Sequence, residues 1–141
     1  MHTGLVHLHR TIAYVALLLL AFTAIKFLIS RNKEFTEGDR KLAFYSLLAV
    51  HLQLIVGAVI YFTGISFDML RDFGTAMGDS AMRFKVLEHP LTMIIGITVI
   101  TIGYSSAKRM DDSAKKLKRL STFYVIGLVL ILLRTPWDKL F

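Results

Sequence analysis

Two histidines stand near the starts of two different apolar segments of the chain, His9 in the first segment and His89 in the third. If both segments cross a bilayer in the same direction, the two imidazoles lie at one depth on parallel helices. Axial ligation from both faces of a planar, metal-bearing ring needs this arrangement. The spacing therefore predicts His9 and His89 as paired metal ligands. The ordinary alternative is that each histidine bonds to headgroups or water at the membrane interface.

The segments that would position these histidines are four apolar blocks, at 11–30, 42–64, 88–107 and 117–137. Each approaches the length of about 20 residues that spans a hydrocarbon core of about 30 Å. The 141-residue chain is therefore predicted to be a single all-α domain, a polytopic membrane protein folded as an antiparallel four-transmembrane-helix bundle. The predicted helices are 5–28, 41–63, 88–107 and 117–134, with an outer amphipathic connection at 65–87.

The net charge of +7 is distributed unevenly between the connections. Eleven of the seventeen basic residues flank the first and third connections. Because basic loops stay in the cytoplasm, this bias predicts a bacterial-type inner membrane protein with both termini on the non-cytoplasmic side. It also explains the positive charge by topology, so nucleic acid is not an expected partner.

The chain contains no cysteine. This excludes disulfides, thiolate-held iron–sulfur clusters, thioether-attached haem and cysteine nucleophiles. Nitrogen, oxygen or methionine sulfur must hold any metal. No phosphate-binding glycine loop, Ser-His-Asp arrangement or HExxH motif is present, so the sequence favours a role other than catalysis.

The second predicted helix carries His51 near its middle, followed by Gln53 and Gly57. An imidazole at this depth is costly unless it is paired, so His51 needs a partner or a role. It could ligate a second group, bond to Gln53 or Tyr14, line a quinone or proton path, or be an ordinary hydrogen-bonded core histidine. Gln53 is expected to face inward, and Gly57 allows close approach of a neighbour or ligand.

Three further residues surround the predicted pair. Arg10 lies where the propionates of a b-type haem would emerge, and Glu88 could orient an imidazole or pair with Arg10. Gly96 lies below His89 on the same helical stripe, where a porphyrin would need room. The alternative for Arg10 and Glu88 is ordinary interfacial charge.

The run from His51 to Val59 (HLQLIVGAV), between His9-Arg10 on one side and His89 on the other, resembles the four-helix half of haem A synthase. The chain also resembles small four-helix cytochrome b-like proteins, which share the HLQ helix and a Glu-His pair before the third helix. It differs from the synthase in having one four-helix unit, and in Glu88 directly adjoining His89. The resemblance implies haem binding, with His9 and His89 as ligands.

These observations together predict a membrane protein that binds one bis-histidine haem b and carries electrons. Its expected partners are the lipid bilayer and a larger respiratory membrane complex, with quinone as a further candidate. Two alternatives stay open. One is a haem-free structural subunit of a membrane complex, and the other is a haem-modifying enzyme resembling haem A synthase.

Overall fold

A computed structural model describes residues 2–64 and 71–140, and most of these residues are helical. The α-helices are α1 (His2–Ile29), α2 (Glu37–Gly64), α3 (Phe73–Gly78), α4 (Ser80–Arg83), α5 (His89–Lys108), α6 (Ser113–Leu133) and α7 (Trp137–Leu140). A π-helical turn, Phe84–Glu88, joins α4 to α5. The described residues contain no strand, so the all-α prediction is confirmed for them.

Three helical stretches are long and apolar enough to cross a membrane, namely Thr3–Ile29, Glu37–Gly64 and Ser80–Lys108. They correspond to the first three predicted spans. The fourth predicted span differs, because four basic residues occupy the first two turns of α6. Its apolar part runs only from Leu120 to Leu133, which is shorter than the roughly 20 residues that a span requires.

The four long helices form a ring in which each packs against two neighbours. Helix α1 contacts α2 and α6, and α5 contacts α2 and α6. Neighbours are antiparallel, because paired residue numbers run in opposite senses. Thr23–Ser46 and His9–Gln53 join α1 to α2, and His51–Thr101 and Tyr61–Val86 join α2 to α5 and the turn before it. Helices α1 and α5 therefore run in the same direction on opposite sides of the bundle.

The start of α2 is fixed by a reciprocal cap. The backbone N–H of Thr36 donates to Asp39 Oδ2 at 3.0 Å, and the backbone N–H of Asp39 donates to Thr36 Oγ1 at 3.1 Å. Lys26 Nζ donates to Asp39 Oδ1 at 2.5 Å and so ties the end of α1 to the same carboxylate. Because these bonds satisfy the first turn, α2 begins at Glu37 rather than at the predicted Lys41.

The tightest helix contact joins α5 to α6 through glycines. A Cβ on Gly127 would lie 2.3 Å from Ile100 Cγ1, and one on Gly103 would lie 2.3 Å from Phe123 Cβ. A Cβ on Gly96 would lie 3.3 Å from the carbonyl oxygen of Gly127. Small residues thus let the two backbones approach closely, which is the packing mode that small residues give to membrane helix pairs.

The described part of the bundle is packed unevenly along its length. Near the α1–α2 connection, large side chains are fully buried, among them Phe27 and Tyr124, whose rings meet edge to face at 5.6 Å. Toward the other end, no residue of 3–15, 51–64 or 89–95 is buried. The end that carries His9 and His89 is therefore the more loosely packed end, although Ala76, Val86 and Ile131 are buried there.

The predicted outer connection, 65–87, is largely helical where it is described, and residues 65–70 lie outside the described residues. Asp79 caps α4 by accepting from the backbone N–H of Ala81 at 3.0 Å. The helix then continues through the π turn into α5, with Pro90 in the first turn of that helix. The regular span was predicted to begin near Glu88, but the continuous helical stretch begins at Ser80.

Replacing Gly127 with alanine tests the α5–α6 contact. The new methyl group would overlap Ile100, and overpacking of this kind costs about 1–3 kcal/mol. We expect the detergent-purified variant to have a lower melting temperature than the wild type, as measured by circular dichroism. The control is Gly4→Ala, because a Cβ on Gly4 meets nothing within 4 Å. Equal melting of the two variants would contradict the proposed close contact.

Candidate functional site

His9 lies in the second turn of α1 and is half-buried against α2. A Cβ on Gly57 would come within 3.2 Å of His9 Cε1, so the absence of a side chain at 57 makes room for the imidazole. Gln53 Nε2 donates to the backbone carbonyl of His9 at 2.8 Å. Gln53 therefore faces inward, as predicted, and Gly57 serves the close approach of a neighbour.

Two buried polar atoms at this point have no hydrogen-bond partner among the described residues, His9 Nδ1 and Gln53 Oε1. A buried polar atom without a partner costs free energy comparable to a lost hydrogen bond. Such atoms are rare in folded proteins and often mark a site for a ligand or an ion. His9 and Gln53 therefore both have unused hydrogen-bonding capacity at this end of the bundle.

His89, the first residue of α5, is held by the end of α6. Its Nδ1 lies 2.8 Å from the backbone carbonyl oxygen of Arg134. A carbonyl oxygen only accepts, so Nδ1 carries the proton, and in the neutral imidazole Nε2 keeps its lone pair. The Phe84 ring stacks on the imidazole with centroids 5.7 Å apart. A fixed Nδ1–H with a free Nε2 is the usual state of a histidine that ligates a metal.

The bundle brings these two histidines to one end. Helices α1 and α5 run in the same direction, and both residues lie in the first turns of their helices. Among the described residues, no group of three or more His, Cys, Asp or Glu could hold a metal ion.

His51 lies deeper in the bundle and is bonded to α5. Its Nε2 lies 2.9 Å from Thr101 Oγ1. Because that hydroxyl donates to the Ile97 carbonyl at 2.7 Å, it accepts from the His51 N–H. The expected partners Gln53 and Tyr14 are therefore replaced by Thr101. This bond matches the interpretation of His51 as a hydrogen-bonded core histidine.

The charged residues near the pair are arranged differently from the expectation. Glu88 accepts from Arg83 Nε at 2.8 Å, so its ion pair is with Arg83 and not with Arg10. Arg83 also donates to the backbone carbonyl of Met77 at 3.1 Å. The π turn explains this choice, since it brings residues 83 and 88 to one face. Arg10, which directly follows His9 in the chain, is half-buried.

Gly96 was expected to leave room for a porphyrin below His89. In the structure it faces α6, where a Cβ would lie 3.0 Å from Ile131 Cγ1. The room at Gly96 is therefore occupied by the neighbouring helix. Two shallow surface recesses of the described residues lie elsewhere, toward the end of the bundle that carries the α1–α2 and α5–α6 connections.

Sequence reasoning missed the groups that hold the histidines, namely Phe84, Thr101 and the carbonyl of Arg134. A signal for the carbonyl is present, because Pro136 lacks an N–H and helix α6 ends at Leu133. A carbonyl just past a helix end has no helical donor and is free to accept from a side chain.

Comparison with protein-family models, curated protein sequences and solved structures finds no match to this chain.

The His51–Thr101 bond can be tested with a matched pair of valine substitutions. Thr101→Val removes the acceptor of the His51 N–H, and an unsatisfied buried donor costs about 1–3 kcal/mol. Thr98→Val is the control, because Thr98 makes the same bond to the carbonyl four residues earlier but has no histidine partner. We expect only Thr101→Val to lower the free energy of unfolding in detergent. Equal losses of stability in the two variants would show that only the bond from each threonine hydroxyl to its own helix matters, and not the bond to His51.

Proposed function

We propose that this protein binds one b-type haem through His9 and His89 and carries electrons within the membrane. The observation that carries the proposal is the hydrogen bond from His89 Nδ1 to the Arg134 carbonyl. It fixes the tautomer and the ring orientation, and it leaves Nε2 as the ligating atom. An interfacial histidine bonded only to headgroups or water would not need such an internal acceptor.

The residues around His9 fit the same group. Its Nδ1 has no partner among the described residues, and Gly57 accommodates the ring without a competing side chain. Gln53 holds the backbone of His9 in place. The loosely packed end of the bundle allows the two helices to separate without breaking the core that lies further along, around Phe27 and Tyr124.

When bound, haem b supplies a one-electron redox couple inside the bilayer. The chain supplies two neutral imidazoles, and Arg10 supplies a cation at the outer surface for the propionates. His51 is a secondary candidate that would line a proton or quinone path, through its bond to Thr101. Without a substrate-binding motif, electron transfer is favoured over catalysis.

The proposal includes a topology of four crossings with both termini on the non-cytoplasmic side of a bacterial-type inner membrane. Three helices have the required length and hydropathy. We propose that α6 also crosses, because it packs against both α1 and α5 and its terminal lysines can extend to the headgroups. We propose an accessory subunit of a larger respiratory membrane complex, with quinone as a candidate electron partner.

Optical spectra of the detergent-purified protein, oxidised and then reduced, test haem binding. We expect a haem b spectrum from protein made in haem-replete cells, and its loss in His9→Ala and His89→Ala. His7→Ala is the matched control, since His7 is an exposed residue on the same helix. Circular dichroism establishes that each variant remains helical.

Colourless, helical wild-type protein would overturn the proposal and favour the haem-free structural subunit. A spectrum that survives both substitutions, or that disappears in His7→Ala, would reject His9 and His89 as the ligands. Conversion of haem b into an altered haem, detected by mass spectrometry of the extracted pigment, would instead favour the haem-modifying enzyme that the resemblance to haem A synthase suggests.

A further inference from the structure

A basic recess opens at the opposite end of the bundle from His9 and His89. It lies between the α1–α2 connection and the first turns of α6, and its volume is about 360 Å³. Its lining residues are Arg31, Asn32, Ala114, Lys115 and Lys118. Three cations and an amide therefore converge from two separate segments of the chain.

These three cations are not neutralised within the described residues. Residues 31–36 and 108–119 carry eight Lys or Arg side chains but only three carboxylates. None of the ion pairs of the described residues involves Arg31, Lys115 or Lys118.

The neighbouring cations of α6 have aromatic partners. Lys116 lies 4.7 Å from the centroid of the Phe35 ring, and Arg119 lies 5.8 Å from that of Phe123. Cations placed in this way are attracted by the ring faces. The recess therefore gathers those cations of the first turns of α6 whose charge is still available to a ligand.

An apolar stripe continues from the recess along α6. Thr122, Ile126, Val129 and Leu133 follow Lys118 at helical spacing, and all four are exposed. At a rise of 1.5 Å per residue, Lys118 and Val129 are about 16 Å apart along the axis. This is close to the thickness of one hydrocarbon leaflet, which is about 15 Å. A molecule with a charged head and an apolar tail matches the part of this surface between Lys118 and Val129.

We infer that the recess binds the phosphate headgroup of an anionic phospholipid, whose acyl chains lie along the exposed stripe of α6. Basic pockets between helices at the cytoplasmic surface are suited to such headgroups. Free phosphate would use the same cations but would leave the apolar stripe without a role. The lipid would also shield the charged first turns of α6 at the membrane surface, where this helix is least apolar.

The test measures lipid binding by native mass spectrometry of the full-length protein, purified in a non-ionic detergent. Phosphatidylglycerol and phosphatidylcholine with identical acyl chains are added separately. We expect phosphatidylglycerol to bind at least about tenfold more tightly, because each basic residue near an anionic headgroup contributes to affinity. The triple variant Arg31→Gln, Lys115→Gln, Lys118→Gln should lose this preference, and Lys118→Gln alone should reduce it by about threefold.

The matched control removes the same charge from the same end at Lys33, Lys41 and Lys108, which do not line the recess. It should keep the preference for phosphatidylglycerol. Equal losses in the two triple variants, or equal binding of the two lipids by the wild type, would overturn the site. Complete displacement of phosphatidylglycerol by millimolar inorganic phosphate would identify a free-phosphate site and overturn the lipid assignment. Circular dichroism on every variant separates these outcomes from unfolding.

Discussion

The close approach of α5 and α6 determines the position of the candidate site. Gly96 and Gly127 bring the two backbones together, and Ile100 fills the space above Gly127. Because lipid gives no hydrophobic driving force between helices, van der Waals contact at small residues must hold such a pair. The contact fixes the register of α5 against α6, and that register places His89 beside the carbonyl of Arg134.

The first three long helices follow from the sequence, because an apolar block of membrane-spanning length must satisfy its backbone hydrogen bonds internally. The similar depth of His9 and His89 also follows from the sequence, because each lies near the start of its apolar block. The residues that each glycine contacts cannot be predicted from the positions of the apolar blocks. Gly57 and Gly96 are equally small, yet one faces an imidazole and the other faces a helix. Their different roles depend on helix rotation, which spacing alone does not determine.

Local chemistry accounts for the remaining differences from the sequence prediction. The Thr36–Asp39 cap extends α2 at its start by four residues, and its pattern is readable in the sequence. The π turn before α5 is not readable, since it depends on how the connection meets the bundle. It decides that Glu88 pairs with Arg83. Both contacts are local in the chain, but only the cap follows a recognisable residue pattern, because the ion pair depends on the π turn.

The two ends of the bundle are held by different interactions, and this difference bears on function. One end has a core of fully buried side chains around Phe27 and Tyr124. At the other, Gln53, Tyr61 and His89 each hydrogen-bond to a backbone carbonyl of a neighbouring segment. Each such bond contributes about 0.5–1.5 kcal/mol, so the helices there can shift at a modest cost. Under the proposed haem ligation, this is the end that would adjust to a group between the two histidines, while the packed core around Phe27 and Tyr124 stays in place.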